Sequence, residues 1–328
     1  MLGAFMHKSL ATLAIVSSLC ASFAVPAAAS RILIPLHKQG SVLLVDDRRQ
    51  TPNIAFPGIP GVHGLASDGR SLAVAVTDGT GGSRQPEIVL LDIRQPGLIA
   101  TIGLPGAGGH VAVSPDSRFA AIVHPDLRSV SIVNLGERRL IATLSIDGTP
   151  MGVIFDRTSR ELFISDSGAG RLFVVSMSSP SLVKAIEGLS ASGHMVTSPD
   201  GMVLYAVNDI TGTIDIVSLK TRKYLSTLAA GGEIHGIDIS PDGETIYAAD
   251  YGNDRVVAIN ISTSQRRTTA VQPAPYHLTT LSDTRQLIVT SAEQNVMWSI
   301  SVPDMTLIGS YGLEGIVDQV PEVESNGK

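Results

Sequence analysis

Residues 233–260 read EIHGIDISPDGETIYAADYGNDRVVAIN. HGIDIS and TIYAAD are short runs rich in β-branched and aromatic residues, joined through Ser-Pro-Asp-Gly; a polar loop then leads into RVVAIN. Pro presets φ and Gly accepts positive φ, so the junction is a tight reversal. The stretch predicts three consecutive antiparallel strands, and RRTTAV (266–271) supplies a fourth. A histidine, His235, stands at the head of the first strand.

Relatives of this stretch recur along the chain. Their heads are VHGLASDGRSLAVAV, GHVAVSPDSRFAAIV, PMGVIFDRTSRELFIS, GHMVTSPDGMVLYAV, IHGIDISPDGETIYAA and YHLTTLSDTRQLIVT. The marker residues His63, His110, Met151, His194, His235 and His277 are 47, 41, 43, 41 and 42 residues apart. The first interval is longer because a Gly-rich loop, 77–87, is inserted. Four short strands repeating about every 42 residues are the signature of a β-propeller blade. Helical repeats are excluded, because no amphipathic pattern of 3.6-residue period is present.

Before His63 come three further runs, RILIPLH, SVLLVDD and NIAFPG, with no head of their own. EGIVDQVP (314–321) is the expected inner strand for them, so that both termini build the last blade and no sheet edge is left free. The expectation is an all-β, seven-bladed propeller over 30–321 with a polar tail at 322–328. SPDG at 198–201 and 240–243, its variants at 114–117 and 67–69, and the following LYAVND, IYAADYG, TIDIVSLK and RVVAINIS resemble the YVTN/YncE-like propeller family across nearly the whole chain. The resemblance implies the fold. It spans several functions, among them binding proteins, sugar-lactone hydrolases and haem- or metal-handling proteins.

In a blade the start of the first strand neighbours the end of the second, at one mouth of the central channel. His63, His110, His194, His235 and His277 lie at starts of first strands, and His37 and His124 at ends of second strands. Asp78, Asp166, Asp209 and Asp250 hold equivalent second-strand positions. Neutral imidazole is the commonest ligand of zinc and copper, and carboxylates complete such shells. Register bears on convergence, since a one-residue slip turns a side chain to the other face. Counted back from the turn aspartate, His110, His194 and His277 lie six residues away, His235 seven and His63 five. The five therefore do not share one register.

Residues 1–29 carry Lys8, an apolar run from Leu10 to Val25 and small residues at Ala27 and Ala29, the pattern of an export signal cleaved before Ser30. Removal of 29 of the 328 residues leaves 299, with no cysteine, because the only one is Cys20. Thiolate chemistry and disulfides are thereby excluded from the mature chain. Loss of Lys8 takes the formal charge from −6 to −7, and no basic run offers a grip on nucleic acid. No later run is long enough to enter a membrane. No serine stands in a G-x-S-x-G elbow, and GLPGAGGH (103–110) precedes a strand rather than the helix a phosphate loop needs.

The sequence thus points to a monomeric periplasmic binding protein rather than an enzyme. It would hold zinc or copper on His63, His110, His194, His235, His277, His37, His124, Asp78, Asp166 and Asp250, and serve as metallochaperone to a periplasmic metal-binding or transport protein. Three alternatives stay open. They are a haem d1-type propeller, which needs cationic partners at the mouth such as Lys38, Arg128 and Arg255; a lactonase-like hydrolase; and a metal-free protein-binding scaffold.

Overall fold

A computed structural model describes residues 31–37, 39–46, 52–80, 85–190, 193–281, 285–302, 304–313 and 324–325. The expected export signal at 1–29, the expected strand at 314–321 and Lys38 lie outside them. The chain forms seven four-stranded antiparallel sheets arranged as propeller blades, with one three-residue 3-10 turn, Tyr251–Asn253, among the described residues. The opening stretch falls as read: Ile234–Ile239, Thr245–Asp250, Arg255–Asn260 and Arg266–Ala270 are the four strands of blade 6.

Blade 1 is closed by both chain ends. Arg31–Leu36, Ser41–Asp46 and Pro52–Pro57 are its second, third and fourth strands. The inner strand that the described residues supply is Glu324–Ser325, paired antiparallel with Ile32 and Leu33. It lies within the stretch expected as a polar tail. Blades 2 to 7 follow in order, covering 62–103, 111–145, 150–186, 195–229, 234–270 and 275–312.

Burial explains the composition of each strand. Second strands such as Phe119–His124 are buried throughout, since neighbouring blades cover both faces. Fourth strands such as Lys223–Ala229 form the exposed rim. Blades seal through shared apolar clusters; Phe119, Phe155, Leu162 and Phe173 join blades 3 and 4, and Trp298 packs with Tyr247 between blades 6 and 7. The Ser-Pro-Asp-Gly turns lie at the far end of the channel from the strand heads. Gly201 and Gly243 take φ of 71° and 75° there, and Ser198 and Ser240 donate to Asp200 and Asp242.

Neighbouring inner strands approach unusually closely at their heads. A Cβ on Gly236 would stand 2.4 Å from the Tyr276 carbonyl oxygen, and one on Gly152 2.4 Å from that of Gly193. Head residues in blades 2, 4, 6 and 7 also sit at register shifts, between Val62 and Gly64, Pro150 and Val153, Ile234 and Ile237, and Pro275 and Leu278. Such bulges re-aim side chains. Head registers that differ in the sequence can therefore still meet in space.

Candidate metal centre

Four imidazoles gather at the channel mouth. His194 is the hub: its ring centroid lies 4.2 Å from that of His110, 4.4 Å from His235 and 4.8 Å from His277. The Nε2 atoms of His194 and His235 face each other at 2.9 Å, where one donates and the other accepts. Potential ligand atoms of His194, His235 and His277 all lie within 4.8 Å of one another. Zinc–nitrogen bonds of about 2.0–2.1 Å in tetrahedral geometry require nitrogens about 3.4 Å apart, so small ring rotations suffice to bring the three onto one ion. Three rings leave a fourth position, and His110 borders it.

The electrostatics suit a cation. Burial, followed by the neighbouring imidazoles, holds His194, His235 and His277 well below the ordinary histidine range. Their lone pairs are therefore available at neutral pH, where an isolated solvated histidine is partly protonated. The loops of this face carry Asp126, Asp147, Glu187, Asp209, Glu233, Asp254 and Glu293. Its described basic side chains are Arg128, Arg171 and Arg255, and the last two bind Asp166 and Asp250 at 2.9 and 2.7 Å. A mouth of this sign attracts cations.

Asp209 supplies a second layer. Its Oδ2 stands 4.0 Å from His235 Nδ1, on the side of the ring away from His194. Burial pushes its pKa up, outweighing its own backbone amide and the nearby His110, which pull it down. Gly193 makes room for it, because a Cβ there would lie 2.4 Å from Asp209 Oδ1. Tyr276 completes the wall, stacked on His235 with ring centroids 3.5 Å apart.

The remaining expected ligands are engaged elsewhere. The His63 ring spans the carbonyls of Gly61 and Gly108, so its bulge turns it toward the blade 2–blade 3 junction rather than to the four. His37 Nε2 donates to Asp78 Oδ2 at 3.0 Å, and Asp78 Oδ1 accepts from the Thr80 amide and hydroxyl at 2.7 Å each. His124 does end a second strand, but it points along its sheet. Its Nδ1 donates to Ala107 O at 2.9 Å, and its Nε2 accepts from Ser131 Oγ at 2.8 Å. Burial holds it neutral, with both nitrogens occupied.

Asp166 accepts from the Thr149 and Gly168 amides and from Arg171. Burial pushes its pKa up, but these donors outweigh it and leave the carboxyl below its ordinary value. Asp250 likewise accepts from Gly232, Asn253 and Arg255. Both tie blade-to-blade connections. A carboxylate followed five residues later by Arg, as in Asp166/Arg171 and Asp250/Arg255, was the sequence signal for that role. Asp209 has Ile214 at that position, so no arginine is offered to it there.

Comparisons with known proteins agree on architecture. Residues 152–300 match the family described as "Lactonase, 7-bladed beta-propeller", a span that includes His194, His235 and His277. Antigen Lp49 of Leptospira interrogans is 24% identical over 130 residues, 38% of this chain; the matched segment is 28% of that antigen's length. A crystal structure of a candidate 6-phosphogluconolactonase from Bacteroides fragilis superposes with TM-score 0.76 at 13% identity, covering 92% of this chain and 99% of that one. A protein of unknown function from Desulfotomaculum acetoxidans gives 0.74 at 14%, over 89% and 98%. Hydrazine synthase of Kuenenia stuttgartiensis gives 0.68 at 14%, over 77% and 87%. At such identities the likeness is one of fold.

Proposed function

We propose that this propeller is a periplasmic binding protein that holds a transition-metal ion, zinc or copper, on His194, His235 and His277 and passes it to a partner protein. The observation that carries this reading is the convergence of three neutral imidazoles within 4.8 Å at an acidic channel mouth. Imidazole suits both zinc and copper. His110 stands beside the three, and Asp209 is placed to hold the distal nitrogen of His235, the outer-shell contact that fixes tautomer and ring angle in metal-binding histidines. Of the cations a haem d1-type site would use, Arg255 is committed to Asp250.

A second reading is favoured by the family match over 152–300: hydrolysis of a lactone at the same mouth. A bound zinc ion would supply a low-pKa water and polarise the ester carbonyl. Asp209, with its raised pKa and its Oδ2 4.0 Å from His235 Nδ1, is the residue to accept a proton there. Export and transfer to a partner are parts of the proposal, and the apolar N-terminal run supports the first.

The test is calorimetric titration of metal-stripped protein with zinc and with copper, beside a variant carrying His194→Ala, His235→Ala and His277→Ala. One ion per chain is expected, with binding lost in the variant. Binding that survives the triple substitution, or no binding by the parent, overturns the reading. Lactone turnover by metal-loaded parent, absent from the triple variant, would shift the assignment to the hydrolase.

A further inference from the structure

Of the strand heads that open blades 2 to 7, all are histidine except that of blade 4, which is Met151. Blades 4 and 6 are built alike at this point. In both, the head residue lies inside a register shift, between Pro150 and Val153 and between Ile234 and Ile237, and a glycine follows it. A Cβ on Gly152 would stand 2.4 Å from the carbonyl oxygen of Gly193, and one on Gly236 2.4 Å from that of Tyr276. Each of those oxygens belongs to the residue just before the next blade's histidine. Both second strands end in an aspartate bound to the arginine five residues on, Asp166 to Arg171 and Asp250 to Arg255.

Met151 therefore holds in blade 4 the place that His235 holds in blade 6. From that place His235 meets the histidine of the preceding blade, Nε2 to Nε2 with His194 at 2.9 Å. The blades on either side of Met151 carry His110 and His194, whose ring centroids are 4.2 Å apart. The equivalence sets the thioether beside these two rings, at the fourth position that His110 borders. Core packing does not account for it. Met177, Met195, Met297 and Met305 pack into apolar clusters, and Met202 is exposed beside a far-face turn. Met151 is half-buried and stands in none of those clusters.

Donor chemistry then separates the two candidate ions. Zinc is held by imidazole, thiolate and carboxylate, whereas thioether sulfur is a soft ligand that selects copper(I). Methionine is unbranched and polarisable, so its sulfur can follow an ion's position. We infer that Met151 is a ligand of the mouth site and makes it selective for copper(I) over zinc. This rests on the metal reading above and adds the sulfur donor that chooses between its two ions. Copper is taken up and passed on as copper(I), with no change of oxidation state.

The test is anaerobic competition against bicinchoninate, a chromogenic copper(I) chelator, beside zinc calorimetry, on the parent, Met151→Leu and Met195→Leu. Leucine conserves volume and apolar character and removes the sulfur. In Met151→Leu, copper(I) affinity should fall by about tenfold or more, since losing even an outer-shell partner costs that much, while zinc affinity stays within about twofold. Met195→Leu, next to His194 in sequence but packed in an apolar cluster, should change neither. Copper X-ray absorption should show a sulfur neighbour in the parent and in Met195→Leu, absent from Met151→Leu. Should Met151→Leu fail to fold, the other two spectra decide: sulfur in both upholds the assignment, and its loss in Met195→Leu overturns it. A nitrogen-only copper shell in the parent, unchanged copper(I) affinity in Met151→Leu, or equal loss of both metals there also overturns it and leaves a histidine site standing. A parent that binds neither ion overturns the metal reading itself, and this inference with it.

Discussion

The close approach of blades 6 and 7 is the structural device on which the histidine cluster depends, and Gly236→Ala tests it directly. The new Cβ would lie 2.4 Å from the Tyr276 carbonyl oxygen and 2.9 Å from the His277 Cα. Both neighbours are backbone, so no flexible side chain can yield. Ordinary contact begins near 3.4 Å, and the head of blade 7 must therefore retreat by about 1 Å from that of blade 6. Overpacking of this kind costs about 1–3 kcal/mol. For a domain of this size that is a fall in Tm of several degrees. The same retreat carries His277 and Tyr276 away from His235, widening a triad whose ligand atoms already span 4.8 Å. Zinc tolerates about 2.0–2.1 Å to each nitrogen, so affinity should drop by at least tenfold. Gly103→Ala is the control, because nothing lies within 4 Å of its added Cβ. Thermal melts and zinc calorimetry on the three proteins give the answer. A Gly236→Ala protein that keeps both Tm and zinc affinity refutes the close-approach argument. One that loses Tm and binds zinc normally refutes the link between that approach and the site.

Asp209→Asn should weaken zinc binding about 10–100-fold while leaving the urea midpoint nearly unchanged, since it removes an outer-shell acceptor and no core contact. Equal affinity in calorimetry would show that the carboxylate does not orient His235. The metal-free protein should lose stability in acid. His124, His194, His235 and His277 are all held below 6.5, so their contribution is complete above that pH and is lost as pH falls from about 6.5 toward their lowered values. The slope is up to about 1.4 kcal/mol per pH unit for each histidine, read as urea midpoints between pH 8 and 5; a flat profile contradicts their burial as neutral rings. Truncation after residue 321 removes the strand paired with Ile32 and Leu33 and opens blade 1, so Tm should fall by several degrees. An unchanged melt would mean that this pairing closes nothing.

Blade number, strand order and the face on which the histidines gather were all legible, because each repeats with the 42-residue period and is fixed by turn chemistry. The site itself was legible only in part. Counting residues back from the turn aspartate separates His235 from His110, His194 and His277, yet a bulge between Ile234 and Ile237 restores it to them. A bulge at Val62 has the opposite result and sends His63 to the Gly61 and Gly108 carbonyls. The sequence shows one residue more before the turn aspartate for His235 and one fewer for His63, and cannot show which way the strand turns either ring. Asp166 and Asp250 looked like ligands because they end second strands. The arginines five residues on claim both. Asp209, at the equivalent position with Ile214 in the arginine's place, is the acid that stands beside an imidazole of the cluster.

Histidines serving structure in this protein provide an internal standard for those at the mouth. His124 has its two nitrogens on a carbonyl and a hydroxyl, and His63 has both of its own near carbonyls. Each ring is thereby oriented by groups that cannot bind a metal in its place. His194 and His235 instead turn Nε2 toward Nε2, with His277 within 4.8 Å and His110 alongside. Packing four imidazoles at one point contributes little to a fold that apolar side chains would seal at least as well, and it lowers tolerance of acid because protons there repel one another. A ring of valines at the same heads would avoid that loss. The arrangement therefore makes sense as a cation site maintained at some expense in stability, and a variant with aliphatic residues at positions 194, 235 and 277 should melt higher than the metal-free parent below pH 6.5. If it melts lower, the imidazoles hold the mouth together themselves and the metal reading loses its main physical support.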